Sequence, residues 1–253
     1  MKVTVLLSAG LHPVSGRPCP AAVELQAIRL AHTLGTPELT GLHAGPAADA
    51  VRDALGQGLP RLLWLETAVE DDPLAGLVAA LATDRPDLIL AGRQAQGADD
   101  SGLLPYALAK ALGLPIIADA VAIEPAGEGA VHVVQALPRG ARRRVTVRLP
   151  AVVTVHPAAP TALPFAFAAA RRGTVERRAG QAALRSGAAI DERPYRKRPK
   201  LIAKAAAGAS AADRLKAATE SAAGGGRLLV DPAPDEAARE IIAHLRELGV
   251  LRR

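Results

Sequence analysis

The chain has 253 residues, of which 49% are hydrophobic, so it is long enough to bury one large core or two modest ones. A formal net charge of +6 would suit a nucleic-acid binder. However, many of the Arg and Lys residues fall within residues 139–204, and only 2% of the chain is aromatic, so few side chains could stack on bases. This distribution favours a solvated or partner-facing basic segment over a nucleic-acid interface.

Cysteine content and hydropathy indicate the cellular location of the protein and the kinds of site it can contain. Cys19 is the only cysteine, which excludes an internal disulfide and gives no support to a cysteine-based metal site. The first residues lack a basic segment followed by a long apolar one, and no stretch reaches the roughly 18 apolar residues that a membrane helix needs. The sequence therefore predicts a cytoplasmic protein without a metal and without membrane insertion.

The N-terminal half alternates predicted strands with predicted helices. Short connections between such elements are typical of a parallel sheet covered by helices on both faces. Right-handed crossovers would then bring the loops after Leu7, His43 and Ala91 to one edge of the sheet. The predicted strands are Val3–Leu7, Glu38–His43, Arg61–Glu66 and Leu88–Ala91, and the predicted helices are Ala21–Leu34, Ala47–Leu55, Pro73–Leu81 and a helix from Ser101.

Residues 87–115 read as a strand, a polar loop and a helix, which is how α/β proteins build small-ligand sites. The helix N-terminus presents unpaired N–H groups to an anion. Ser101 is a candidate N-cap, and Gly102 would let a ligand approach the backbone. The alternative is an ordinary strand–helix connection without a ligand, because a single glycine-containing loop is weak evidence for a site.

The pattern changes after Pro115, where four short strands separated by glycine-containing turns predict an antiparallel excursion. They are Ala120–Ile123, Ala130–Gln135, Arg143–Arg148 and Ala151–Val155, the last of which returns as a buried strand. We therefore predict an α/β, Rossmann-like domain over residues 1–172. Residues 173–253 are predicted to form an extended arm that ends in a strand, Arg227–Val230, and a helix from Pro234 to Leu248 with Gly249 as its C-cap.

Four stretches of the chain, taken together, resemble segments of one known family. They are HAGPAADAVRDALGQGLPRLLWLE from His43, DLILAGRQA from Asp87, RLPAVVTV from Arg148 and GRLLVDPAPDEAAREIIAHLRELGVL from Gly226. Their order and spacing agree over most of the chain. On these motifs the chain is similar to the β subunit of electron transfer flavoprotein.

The resemblance implies a function that the composition alone does not. It implies a heterodimer with an α subunit that carries most of an FAD site at the subunit interface. The pair would accept electrons from a flavin dehydrogenase and pass them to a quinone oxidoreductase, and the β subunit would have no catalytic site of its own. Most members of the family also hold AMP in the β subunit, so the resemblance implies AMP as a second cofactor.

The family's AMP site carries over to strand ends and helix starts on the predicted binding edge. The implied positions are Leu6, Leu7, Ser8, Cys19, Ala22, Ala44, Gly92, Gln94, Asp99, Asp100, Ser101, Gly102, Leu103 and Leu104. The chain departs from the family's pattern at Arg17–Pro20 and at Leu103–Pro105. Backbone N–H groups at Gly102, Leu103 and Leu104 could still hold a phosphate, because that contact needs no side chain.

The family's partner-recognition loop aligns with LPFAFAAARR from Leu163, near residues 161–172. An exposed apolar anchor rimmed by basic residues suits docking into a partner's pocket. The residues implied in docking are Leu163, Phe165, Phe167, Arg171 and Arg172. The alternative is that Leu163 and Phe165 pack in this chain's own core.

His43, Trp64 and Arg93 could each have a structural role rather than a functional one. His43 lies at a strand end beside the predicted ligand edge, although a lone histidine is more often a packed side chain. Trp64 is expected in the core, and Arg93 is expected to pair with a local carboxylate or to face the α subunit. The sequence shows no Ser–His–Asp or Cys–His arrangement that would indicate nucleophilic catalysis. The second functional hypothesis is a stand-alone adenine-nucleotide-binding regulatory module, which would have no need of the excursion, the Leu163 loop or the arm.

Overall fold

The computed structural model describes residues 1–35, 38–96, 101–181, 183, 210, 229–247 and 251. Contacts divide the chain into two compact units, Met1–Ile190 and Asp191–Arg253. The strands are β1 (Lys2–Leu6), β2 (Ala9–Leu11), β3 (Pro18–Pro20), β4 (Glu38–Gly45), β5 (Arg61–Glu66), β6 (Leu88–Gly92), β7 (Ile116–Pro125), β8 (Ala130–Ala136), β9 (Arg142–Arg148), β10 (Ala151–Val155) and β11 (Thr174–Ala179). The helices are α1 (Ala22–Thr33), α2 (Pro73–Asp84), α3 (Leu104–Leu112), α4 (Phe167–Arg172) and α5 (Pro234–Glu247), with 3-10 helices at Asp49–Gln57 and Pro138–Gly140.

The first unit is built on a nine-stranded sheet whose order is β11-β5-β4-β1-β6-β10-β7-β8-β9. The seven strands from β11 to β7 run parallel, and β8 and β9 extend the sheet in antiparallel hairpins. The chain moves outward from β1 through β4 to β5 and then returns to place β6 on the other side of β1. The order of the strands therefore reverses between β1 and β6, where open α/β sheets form ligand crevices.

Alternating side chains of the central strands enter two different cores. Leu88 and Leu90 of β6 belong to the cluster that α1 and the first 3-10 helix cover, whereas Ile89 belongs to the cluster under α2 and α3. Both faces of β6 are buried, which explains why its sequence is a continuous apolar run rather than an alternating one. The predicted α/β, Rossmann-like fold with an antiparallel excursion is confirmed.

Two local predictions for the region before β5 need correction. The loop after β1 contains a small sheet of β2 and β3, which the sequence did not reveal because prolines at both ends of β3 leave Cys19 as its one N–H donor. The segment predicted as a helix over Ala47–Leu55 is a 3-10 helix at Asp49–Gln57, which ends at Gly58 in the left-handed conformation. The small sheet of β2 and β3 contacts this 3-10 helix.

Ser101 is not the N-cap of the helix that follows β6. That helix, α3, begins at Leu104 with Leu103 as its N-cap. Gly102 has a φ of +70°, which breaks the helical path, and a Cβ at this position would lie 2.8 Å from the carbonyl oxygen of Arg93. The Ser101 hydroxyl instead accepts a 3.3 Å hydrogen bond from the N–H of Leu103. Gly102 is therefore required by the fold of the loop itself.

The predicted arm contains one unexpected strand. Thr174–Ala179 forms β11, which pairs in parallel with β5 at the edge of the sheet. Arg177 pairs with Glu66 of β5, and its guanidinium lies 5.3 Å from the centre of the Trp64 ring. The strand was not predicted because three of its six residues, Glu176–Arg178, are consecutive charged residues, and their cross-strand ion pairs form only once β5 is the neighbour.

The second unit is described mainly through α5. Its first turn carries Asp235 and Glu236 and its last turn carries His244 and Arg246, a distribution that matches the helix dipole. Two residues of the predicted strand Arg227–Val230 and the predicted C-cap Gly249 lie outside the described residues, and the other two, Leu229 and Val230, are not in a strand. Within the described part of the chain, none of the helices combines the length and apolar character that crossing a membrane requires.

The two-faced burial of β6 makes a testable prediction. Leu90→Ala should lower the free energy of unfolding by about 3 kcal/mol, because the cavity left in a fully buried site cannot collapse completely. The matched control is Leu11→Ala, since Leu11 is 62% exposed, and it should change stability by less than about 0.5 kcal/mol. Urea unfolding followed by circular dichroism gives both values, and equal losses for the two variants would contradict this placement of β6.

Candidate functional site

A cavity of about 380 Å³ lies where the parallel strands β1, β4 and β6 reach their carboxyl ends. It sits at the reversal of strand order, so the loops after Leu6, Gly45 and Gly92 all border it. Its volume falls within the range of about 300–1,000 Å³ that is typical of small-ligand sites. The single rim predicted from the crossovers is therefore present as one concave site.

The walls are largely apolar, with a few polar groups at defined places. The apolar lining comes from Leu6, Leu7, Leu42, Val69, Leu77, Ala91, Leu104 and Pro105, among others. The polar lining comes from Ser8, Glu24, His43, Thr67, Asp71 and Gln96. No lysine or arginine is among the described residues that line the cavity, so the donors that these residues offer to a negative charge are N–H and O–H groups.

Glu24 joins three elements at the floor of this cavity. It is the third residue of α1, and its side chain is only 3% exposed. Its Oε2 accepts a 2.7 Å hydrogen bond from the N–H of Ser8, and its Oε1 lies 2.5 Å from the Ser8 hydroxyl oxygen. That hydroxyl also accepts a 3.0 Å hydrogen bond from the N–H of Gln96. One carboxyl group thus connects α1 to the end of β1 and to the loop after β6.

Burial raises the pKa of Glu24 to about 8, against smaller lowering contributions from hydrogen bonds to the Ser8 side chain and to the Ser8 and Ala21 backbone. Loss of water disfavours the charged form of a carboxyl group, and no cation lines the described cavity wall to offset that loss. At neutral pH the group is therefore mostly the neutral acid. The Ala21 contact also resembles half of a helix capping box, since Ala21 is the N-cap and Glu24 the third residue.

His43 lines the cavity but is fixed by the backbone. Its Nδ1 lies 2.9 Å from the carbonyl oxygen of Leu7 and its Nε2 lies 3.1 Å from that of Ala47. Burial lowers the pKa of His43, so the ring is neutral near pH 7. A Cβ at Gly45 would lie 2.9 Å from Nε2, which shows how tightly the imidazole packs against the strand end.

The structure gathers only part of the implied AMP set around the cavity. The lining includes Leu6, Leu7, Ser8, Ala44, Gly92 and Leu104. It does not include Cys19, Ala22, Gln94, Ser101, Gly102 or Leu103. Asp99 and Asp100 lie outside the described residues. A role of any of these residues in nucleotide binding stays a prediction.

Several lining residues were missed by the sequence analysis. Thr67 and Asp71 follow β5, which the sequence did not tie to the site, and Gln96 lies in the loop after β6 but was not among the implied residues. Glu24, Gln96, Thr67 and Asp71 line the cavity, but no motif connects them along the chain. Glu24 carried one usable signal, since it is an acidic residue in the first turn of a helix that is predicted to start beside the ligand edge. Among the described residues, no group of three or more His, Cys, Asp or Glu side chains is placed to hold a metal ion.

Comparison with known proteins identifies the family of this chain. The model of the electron transfer flavoprotein domain family matches residues 19–183, about two thirds of the chain. An electron transfer flavoprotein subunit beta from Chromohalobacter salexigens is 42% identical over 258 residues, covering 100% of this chain and 96% of the relative. The chain belongs to the electron transfer flavoprotein β-subunit family. A second relative of the same description, from Syntrophomonas wolfei, is 36% identical over 111 residues, 43% of each chain.

The segment that aligns with the family's recognition loop packs partly on the chain's own 3-10 helix. The Leu163 side chain is half-buried and lies against Gly58, and its carbonyl oxygen accepts a 3.2 Å hydrogen bond from Gln57 Nε2. The Phe165 ring covers Gly56, where a Cβ would lie 2.3 Å from it, yet Phe165 remains 51% exposed. The glycines of the 3-10 helix therefore make room for this segment.

Phe167 is the most exposed apolar member of the implied docking set. It is 69% exposed at the start of α4, and the Arg171 guanidinium lies 5.9 Å from the centre of its ring. Arg172 is also exposed, in the last turn of α4. Arg93, outside this segment, pairs with Asp119 at 3.5 Å, which is one of the two roles expected for it.

The raised pKa of Glu24 predicts how stability changes with pH. The folded chain holds the Glu24 proton up to about pH 8, whereas the unfolded chain releases it near pH 4.5. Between these values the folded state binds more protons, so this group's contribution to stability is full below pH 4.5 and is lost as pH rises through 8. Between pH 5 and pH 8 the loss is about 3 kcal/mol, at about 1.4 kcal/mol per pH unit.

The variant Glu24→Gln isolates this contribution, because a neutral amide can accept from the Ser8 N–H and donate to the Ser8 hydroxyl without titrating. Urea unfolding of both proteins at half-unit intervals from pH 5 to pH 8 should show the wild type losing stability relative to the variant. A difference that stays constant with pH would contradict the neutral acid.

Proposed function

We propose that the chain is the β subunit of an electron transfer flavoprotein heterodimer. In this proposal the α subunit carries most of the FAD site, and FAD lies at the interface between the two subunits. The pair works in the cytoplasm, accepting electrons from a flavin dehydrogenase and passing them to a quinone oxidoreductase. The β subunit contributes binding surfaces and no reaction of its own. Support comes from membership of the family and from a relative that matches along the whole chain.

The cavity at the ends of β1, β4 and β6 is the observation that carries the proposal of a nucleotide site. We assign it to AMP. The apolar wall suits a purine, and the polar groups Ser8, Thr67 and Gln96 suit ribose and phosphate oxygens. The helix α3 starts at this cavity with Leu104 and Pro105 in the wall, so its N-terminal dipole favours a negative charge there.

The segment from Leu163 to Arg172 is proposed to dock the dehydrogenase. Its support is an exposed aromatic side chain beside a basic pair, Phe167 with Arg171 and Arg172, on a surface that the 3-10 helix holds in place. Residues 173–253 are proposed to contact the α subunit. Within that stretch Ile241 is 60% exposed on α5, an apolar group for which an interface is a suitable environment.

Co-expression with an α subunit tests the proposal directly. The wild-type chain should purify as a yellow heterodimer with one FAD, and acid precipitation should release one AMP per heterodimer. The variant Ala95→Leu should lower AMP content at least tenfold while FAD content is retained, because Ala95 lines the cavity on a loop and a larger side chain takes ligand volume.

The matched control for this variant is Ala141→Leu, at an exposed turn before β9, which should keep both cofactors. Two results would count against the proposal: a purified pair without flavin, or AMP retained in full by Ala95→Leu. If the chain alone is a stable colourless monomer that binds ATP tightly, the stand-alone nucleotide module becomes the better description.

Docking through Phe167 has its own test. The probe is the purified flavin dehydrogenase that reduces the wild-type heterodimer fastest in a panel of such enzymes. The variant Phe167→Ala should slow stopped-flow flavin reduction by that enzyme about tenfold or more, because an exposed aromatic anchor dominates the binding energy of such contacts. Reduction by dithionite should be unchanged. Leu11→Ala, an equally apolar and exposed site elsewhere, should match the wild type, and a loss shared by both variants would argue against a specific anchor.

A further inference from the structure

The hydroxyl of Ser8 can make only a limited set of hydrogen bonds. It has one hydrogen to donate and two lone pairs that accept. The N–H of Gln96, 3.0 Å away, can only donate, so it occupies one lone pair of the Ser8 oxygen. The remaining neighbour among the described residues is Oε1 of Glu24 at 2.5 Å. The direction of the Ser8 hydroxyl hydrogen therefore depends on the protonation of Glu24.

The two forms of Glu24 give the cavity opposite properties. Because Oε2 already accepts from the Ser8 N–H, the proton of the neutral acid lies on Oε1 and is donated to the Ser8 hydroxyl oxygen. Both lone pairs of the Ser8 oxygen are then used, and its own hydrogen is left to donate to a ligand in the cavity that Ser8 lines. In the ionised form the hydroxyl donates to Glu24, so the cavity loses a donor and gains a negative charge.

We propose that Glu24 is a positioning residue that, as a neutral acid, turns the Ser8 hydroxyl toward the ligand and so selects a ligand that accepts a hydrogen bond there. The inference rests on the proposed nucleotide function of this cavity and names a determinant of its specificity. A nucleoside monophosphate supplies such an acceptor. With no lysine or arginine in the described cavity wall, an O–H donor beside a neutral acid is what makes an anionic ligand acceptable there.

The other titratable groups near Glu24 have different partners. In the cavity, burial lowers the pKa of His43, whose ring nitrogens lie near the carbonyl oxygens of Leu7 and Ala47, and Asp71 accepts a 2.9 Å hydrogen bond from the N–H of Ala68. The elements packed on α1 also hold their charges in local pairs or at exposed positions. The pairs are Lys2 with Asp84, Asp53 with Arg17, Asp119 with Arg93 and Glu124 with Arg144, while Asp49 and Arg52 are exposed.

The strands β6 and β10, which also contact α1, contain no titratable side chain. The described surroundings therefore offer Glu24 no cation that would hold it in the ionised form. This agrees with the effect of burial, which raises the pKa of Glu24 to about 8.

The test measures AMP binding by the co-expressed heterodimer between pH 6.5 and pH 9.5. Equilibrium dialysis against radiolabelled AMP is suitable, because the label exchanges with nucleotide carried through purification. The AMP phosphate is already doubly ionised above about pH 7.5, since its second pKa is near 6. Wild-type affinity should fall about 30-fold from pH 7 to pH 9.5, because binding to the acid form requires a proton that is lost above pH 8.

Two variants test whether the pH dependence of AMP affinity comes from Glu24 and Ser8. Glu24→Gln mimics the neutral acid and should bind AMP within about threefold of the wild type at pH 7, with an affinity that does not change with pH. Ser8→Ala keeps the carboxyl group but removes the donor, and it should bind AMP at least tenfold more weakly at pH 7. The FAD content of both complexes should equal that of the wild type, which confirms that they are folded.

An infrared measurement gives a readout that a purely structural role would not move. The carbonyl stretch of a protonated carboxyl group should be present in the wild-type complex at pH 7, disappear above pH 8 and be absent from Glu24→Gln. Wild-type AMP affinity that does not vary with pH, or a pH dependence that Glu24→Gln retains, would overturn the inference while leaving the nucleotide site intact. No AMP binding at any pH would instead overturn the proposed nucleotide site.

Discussion

The constraint on which the rest of this structure depends is that β6 is buried on both faces. Its successive side chains enter different cores, so a shift of one residue would exchange the contents of the two clusters. The register of β6 with β1 and β10 is thereby fixed, Val5 opposite Leu90 and Val153 opposite Leu90. Fixed registers bring the loops after β1, β4 and β6 to a common level, and only then does a cavity exist between them.

The same packing explains why the cavity can hold a neutral carboxylic acid. Helix α1 packs on β1 and β6. Because Glu24 is on this helix, its side chain is almost completely shielded from water. Its carboxyl oxygens are met by the backbone and hydroxyl of Ser8, so the group is satisfied by hydrogen bonds although it lacks a cation. A site of this kind is polar in its hydrogen bonds and close to neutral in charge, unlike phosphate sites that rely on lysine or arginine.

A second consequence of the fold is the support of the segment from Leu163 to Arg172. Phe165 and Leu163 pack against Gly56 and Gly58 at the end of the 3-10 helix, so the chain itself covers part of both side chains. The alternative of packing within the chain therefore holds in part for Leu163 and Phe165, whereas docking of a partner stays a prediction. Leu163 is held by the chain itself, while Phe167 projects outward and remains available for a partner.

The sequence by itself determined the parallel α/β architecture, the strand Ala151–Val155 and the family, because apolar period, turn residues and motif order are local properties of the chain. It also placed Ser8, Ala44 and Gly92 at strand ends on one rim. Only the tertiary structure decided that Glu24 contacts Ser8 in the cavity, that β11 pairs with β5, and that the loop conformation itself requires a glycine at Gly102. The physical reason is that burial, cross-strand ion pairs and close backbone approaches arise between residues distant along the chain, and sequence spacing carries no record of them.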